Sequence, residues 1–180
     1  NQNEKKKDFD KNGVLERFKV QLERSQIATS NFFNPDFSWA VDANFDPLIL
    51  KPYIFISPFS SSKLKHKRWP YYSQLINLLK KEYPNYEIVI APGPSEIDNA
   101  KQLNAKVILD GTRATNFSQL AKVIKESAYV ISNDTGPAHM AAHLGCKGLV
   151  LFGSHTTAKK VSIQTNQFFA YQVKNLNHLS

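Results

Sequence analysis

Two stretches of this 180-residue sequence gather the residue types that hold anions. The first, SPFSSSKLKHKRWP from Ser57 to Pro70, places Ser60, Ser61 and Ser62 ahead of Lys63, Lys65, Lys67 and Arg68. Hydroxyl donors, compact ammonium charges and a planar guanidinium suit phosphate oxygens, although a basic surface loop would have the same composition. The second, SNDTGPAHMAAHLG from Ser132 to Gly145, follows the apolar run Ala128-Tyr129-Val130-Ile131. Gly136 permits an unusual φ or close backbone approach, and Pro137 fits the first helical position. The amides of Ala138 and His139 would then be unpaired donors at the positive end of a helix dipole. A strand, a tight turn and a helix start form a common phosphate cradle. The same residues also fit a capped helix start, with Asp134 or Thr135 as the cap.

Smaller signals surround these two. In PGPSE, Glu96 lies five residues beyond Ala91, where a carboxylate can accept hydrogen bonds from a ribose diol. Alternatively, Ser95 caps a helix and Glu96 favours its N-terminus. His139 and His143 have the spacing of a zinc-binding pair, but Met140 stands where that motif needs glutamate and no third ligand is indicated, so no metal site is expected. His139 can reach a phosphate from the helix start, whereas His143 packs or is solvated. No Ser/His/Asp or Cys/His arrangement suggests a nucleophile. The single cysteine, Cys146, excludes an internal disulfide, and its apolar setting suggests a packed small side chain.

The elements that position these residues follow from apolar patterning. YIFIS (53–57), YEIVIA (86–91), KVIL (106–109), YVIS (129–132), GLVLF (148–152) and FFAYQV (168–173) read as short strands. YYSQLINLLKKEY, SEIDNAKQL, NFSQLAKVIKES and PAHMAAHLG between them read as helices. Apolar strands alternating with helices predict a Rossmann-like parallel sheet of about six strands, covered on both faces. Ligands of such sheets sit outside the C-terminal strand ends. That rule selects the Ser57–Pro70 loop, PGPSE, the Asp110-Gly111-Thr112 turn and NDTGP, which strengthens the phosphate reading. There is no GxxxxGK[ST] and no GxGxxG after the first strand.

Residues 1–51 differ in character. GVLERFKVQLERSQI has helical apolar spacing, and TSNFFNPDFSWAVDANFDPLILKP reads as an aromatic linker that either meets another domain or packs on its own. Residues 52–180 are therefore expected to form the nucleotide-binding domain. With 42% apolar and 21% charged residues the chain reads as globular. The net charge of +8 favours an anionic partner, with the Lys5–Lys7 triplet read as solvated surface. No apolar run reaches the ~20 residues of a membrane span, and the first residues lack a signal-peptide pattern. The expected location is cytoplasmic.

Together these residues resemble glycosyltransferase family 9, the ADP-heptose:lipopolysaccharide heptosyltransferases. The resemblance spans about residues 52–153, through K-R-W-P, Gly93-Pro94-Ser95-Glu96, Gly111-Thr112, N-D-T-G-P-x-H-x-A-A-x-x-G and L-F-G, and DFSWAVDANF (36–45) fits the stretch before the second domain. It implies the C-terminal, donor-binding half of a GT-B enzyme, with Lys67, Ser61 and Ser62 at a diphosphate and Arg68 alongside. Asp134, Thr135, Gly136 and His139 would form the facing wall, and Glu96 would hold the ribose. Asp134 beside phosphates would order the loop or meet sugar hydroxyls. The implied reaction is an inverting, metal-independent transfer, without a cofactor, from an ADP-sugar to a lipid-linked or lipopolysaccharide core acceptor. The implied general base lies on an N-terminal half absent from these residues, so no catalytic residue is expected in this chain and it should be inactive alone. A place at the inner face of the bacterial inner membrane also follows. A stand-alone nucleotide- or nucleic-acid-binding module and a non-catalytic partner module are the competing readings; no nucleic-acid motif is present, so nucleic acid is not expected.

Overall fold

The computed structural model describes residues 11–30, 32–33 and 37–179, and the Lys5–Lys7 triplet lies outside them. Six strands form one all-parallel sheet: β1 (Tyr53–Ser57), β2 (Glu87–Ile90), β3 (Lys106–Val107), β4 (Tyr129–Asn133), β5 (Gly148–Phe152) and β6 (Phe168–Gln172). Their order is β3-β2-β1-β4-β5-β6, so the direction of winding reverses between β1 and β4. That reversal opens a crevice at the C-terminal strand ends.

The helices are α1 (Val14–Arg24), α2 (Tyr72–Glu82), α3 (Ile97–Lys101), α4 (Phe117–Lys125), α5 (Gly136–His143) and α6 (Ala158–Val161). The period of two along the strands divides the core. Tyr53, Phe55 and Val130 face a cluster that includes Ala121 and Ile124 of α4 and Ala138 and Ala141 of α5. Ile54, Ile56 and Ile131 face Tyr72 and Ile76 of α2 and Ala100 of α3. Alternate side chains point to opposite faces of a strand, so both faces are covered and the strands read as unbroken apolar runs. The Tyr53 hydroxyl donates to the Val123 carbonyl at 2.7 Å, and burial pushes its pKa up.

Two small residues in this core have packing reasons. A Cβ at Gly148 would lie 2.6 Å from the Val130 carbonyl and 2.5 Å from the Phe168 ring, so only glycine fits there. Cys146 is buried, which pushes its thiol up to about 11. As its apolar setting suggested, it packs.

The linker divides its aromatics. Phe37, Val41, Phe45 and Ile49 pack against the α4/α5 side of the core, while Trp39 is 78% exposed. α1 buries none of its residues and meets the turn after α6, where its Leu15 amide lies 3.5 Å from Ser162 Oγ. No helix among the described residues is long and apolar enough to cross a membrane.

Candidate functional site

The end of β4 is tied to the loop after β1 by one side chain. Asn133 is fully buried; its Oδ1 accepts from the Trp69 amide at 3.0 Å and the Tyr72 hydroxyl at 3.2 Å. Its Nδ2 donates to the Pro58 carbonyl at 2.8 Å. A buried amide with both its oxygen and its nitrogen engaged locks this junction. Trp69 also stands edge-on to Tyr72, 5.1 Å between ring centres, so it anchors the start of α2.

Next to it, Asp134 is the hub of a charged cluster. Lys67 Nζ lies 2.6 Å and His155 Nε2 2.9 Å from Asp134 Oδ2, and His139 Nε2 lies 3.7 Å from Oδ1. The Asp134 side chain is only 3% exposed. Burial alone would disfavour its charge, but His139, Lys67 and His155 outweigh that and hold the carboxyl well below the usual carboxylate range. Lys67 makes a second, longer contact of 3.4 Å to the Asp134 carbonyl. An ammonium has three donors, so one remains for a ligand. His155, absent from the sequence-derived residue set, stacks on Phe152 at 6.1 Å. It follows β5 directly, so the rule that selected the other strand-end loops would have found it.

A cavity of about 560 Å³ opens beside this cluster, at the winding reversal. Ser60 and Ser61 line it from the loop after β1, Glu96 from the loop after β2, and Thr135 and Gly136 from the loop after β4. Phe117 and Leu120 add an apolar wall. The size lies in the range of ligand pockets, roughly 300–1,000 Å³.

The expected site residues divide between two places. Ser61, Glu96, Thr135 and Gly136 meet at the cavity, whereas Lys67, Asp134 and His139 form the adjoining cluster. Ser62 opens the 3₁₀ turn Ser62–Lys67 and is exposed. Arg68 turns away: its Nε donates to Ser60 Oγ at 3.1 Å, its Nη2 to the Ser60 carbonyl, and its guanidinium lies 6.0 Å from the Phe59 ring centre.

Two local expectations change. The helix starts at Gly136, with Thr135 as the N-cap residue, and the Thr135 carbonyl accepts from the amides of Ala138 (3.0 Å) and His139 (3.3 Å). Those two amides are therefore engaged, and the open end of the helix lies at Gly136, two residues before Ala138. A Cβ added at Gly136 would meet no protein atom within 4 Å. Ser95 does not cap its helix; Gly93 and Glu96 hold the N-cap positions there, and Glu96 Oε2 accepts from the Gly93 amide at 2.9 Å. The carboxylate thus orders its own turn while lining the cavity. His143 packs at 5.6 Å from Phe37, and burial lowers its pKa, with His139 adding to the effect.

The fold and the strand-end cavity define a Rossmann-like α/β protein with an open cavity at its winding reversal. The family model of glycosyltransferase family 9 (heptosyltransferase) matches residues 3–176, and the chain belongs to that family. Solved structures agree in fold. E. coli heptosyltransferase WaaC with ADP is 20% identical at a TM-score of 0.65, covering 82% of this chain and 47% of that one. The E. coli ADP-heptose lps heptosyltransferase II is 19% identical at a TM-score of 0.61, covering 72% and 43%. The family 9 glycosyl transferase from Veillonella parvula is 18% identical at 0.57, covering 69% and 36%. This chain thus spans less than half the length of each of the three. No curated protein matches the sequence.

Proposed function

We propose that residues 52–180 are the donor-binding domain of a glycosyltransferase that moves heptose, or a related sugar, from an ADP-sugar to a lipopolysaccharide-type acceptor. Residues 1–51 are the connection to an N-terminal half. The observation that carries this reading is the cavity itself, where Gly136 at a helix start faces Ser61 and Glu96 across the winding reversal. The diphosphate lies against the start of α5 and the serines, because a helix N-terminus offers backbone donors and positive potential. Glu96 Oε1 accepts from the ribose diol while Oε2 keeps its bond to Gly93. The base rests on Phe117 and Leu120. The similar E. coli WaaC is solved with ADP and with ADP-2-deoxy-2-fluoro heptose, ligands of the same chemistry.

Lys67 presents its remaining donor to the leaving diphosphate, with Asp134 fixing its position. Electrostatic help of this kind favours departure of the nucleotide by stabilising developing charge. Asp134 is a poor candidate for the base that activates an acceptor hydroxyl, since Lys67 and His155 both occupy Oδ2. The base for an inverting displacement belongs to the other half, on the cytoplasmic side of a membrane where the acceptor is held. A general base is worth ~10²–10⁴-fold and joint positioning of two substrates more, so the 180-residue chain alone is expected to bind donor without transferring sugar. ADP release from ADP-heptose in the presence of a heptose-deficient lipopolysaccharide core tests this. Acceptor-dependent turnover by this chain alone would place the base within it.

A further inference from the structure

We infer that a second cavity, at the C-terminal ends of β5 and β6, is an anion site for a phosphate or carboxylate group. It encloses about 370 Å³ and shares no lining residue with the first cavity. Lys65, His66 and Arg68 form one wall, Lys174 and Asn175 another, and Gly153–His155 the floor. No aspartate or glutamate lines it. Among the described residues neither Lys65 nor Lys174 has a carboxylate partner, in contrast to Lys67, Lys106 and Lys122. Converging cations without counter-charges create a positive potential that an oxyanion relieves.

The walls are held in place without a ligand. Trp69 Nε1 donates to the Leu179 carbonyl at 2.5 Å and the Tyr71 hydroxyl to the Asn177 carbonyl at 3.1 Å, joining the segment after β6 to the basic loop. Gln172 Nε2 donates to the carbonyls of Gly153 (2.5 Å) and Thr156 (3.0 Å), which fixes the floor. Arg68 is set by Ser60, leaving further guanidinium donors open. His155 Nε2 is committed to Asp134, while its buried Nδ1 has no hydrogen-bond partner. Neutral and cationic donors thus surround a preformed space larger than one phosphate, with room for an attached sugar-sized body. The inference concerns a different cavity and stands independently of what fills the first.

Titration of the 180-residue chain by NMR, with and without saturating ADP, tests the assignment; the probes are inorganic phosphate and glucose 6-phosphate. Amides of Ser154, His155 and Asn175 should shift saturably with either probe, whether or not ADP is present. The double variant Lys65→Ala/Lys174→Ala should bind the probes about fivefold to tenfold more weakly, because exposed ion contacts are individually modest. Its ADP affinity should stay within about twofold, since neither lysine lines the first cavity. Tighter binding of glucose 6-phosphate than of phosphate would identify a sugar-borne group as the ligand; equal binding would identify the free oxyanion. Loss of the phosphate-induced shifts at Ser154, His155 and Asn175 under saturating ADP, absence of saturation in the millimolar range, or unchanged affinity in the double variant would each overturn the site. A chain that takes phosphate here but no ADP would overturn only the donor reading.

Discussion

Lys67 Nζ and Asp134 Oδ2 stand 2.6 Å apart and join the loop after β1 to the loop after β4. The pair is coupled to the cavity on one side and to His155 on the other. A lysine in this position is a structural strut and, under the proposed function, a phosphate ligand as well.

Removing that strut should show in both roles. Lys67→Ala leaves a nearly buried carboxylate without its ammonium, so urea unfolding at pH 7 should report a loss of about 3 kcal/mol. ADP affinity should fall by about 1.5–3 kcal/mol, the range of a charged hydrogen bond. The pH dependence has a definite sign. The folded-state pKa of Asp134 is depressed, so its contribution is complete above the ordinary carboxylate range, about pH 4, and fades as pH falls toward the folded value. The stability gap between the natural chain and Asp134→Asn should therefore shrink as pH falls below about 4. A gap that widens in acid would contradict the cluster.

Gly136 separates fold from ligand. Its φ is not left-handed, and a Cβ there meets open space, so the protein itself does not require glycine. Gly136→Ala should leave unfolding free energy within about 0.5 kcal/mol. It should weaken ADP roughly tenfold, or ~1.4 kcal/mol, by blocking close approach to the backbone. Equal ADP affinity in calorimetry would mean that the diphosphate does not reach this helix start.

Glu96 divides nucleotide from phosphate. The Glu96→Gln variant keeps an oxygen for the Gly93 amide, so the turn survives. ADP should bind more weakly by about 1.5 kcal/mol, the low end for a charged hydrogen bond, while pyrophosphate, which has no ribose, should be unaffected. Parallel losses for both ligands would assign Glu96 to the turn alone.

The sheet was legible because each buried strand is a short apolar run between turn residues, and β1 and β5 match the sequence reading at both ends. β3 is shorter than its apolar run, two residues against four, because pairing with β2 stops at Val107. Three of the four loops selected by the strand-end rule, those after β1, β2 and β4, meet at the first cavity, whereas Asp110, Gly111 and Thr112 do not line it. Within them, side-chain direction was not legible. Arg68 looks like a phosphate ligand beside Lys67, yet it is bonded to Ser60 and lines the second cavity rather than the first. His155 carried no motif, since FGSHTT has neither periodicity nor spacing; its place after β5 was open to the strand-end rule, but its contact with Asp134 shows only when β5 is set beside β4. The helix start was misplaced by one residue because Pro at an early helical position fits either frame.

The central claim is that a nucleoside diphosphate occupies the cavity between Ser61, Glu96 and Gly136. Its most direct test is an NMR titration of the natural chain with ADP, following backbone amides across the whole sheet. The expected result is saturable shifts at Ser61, Gly93, Thr135 and Gly136, with Phe117 perturbed by the base. Saturable shifts confined to other loops, or no saturable binding of ADP, would contradict the account.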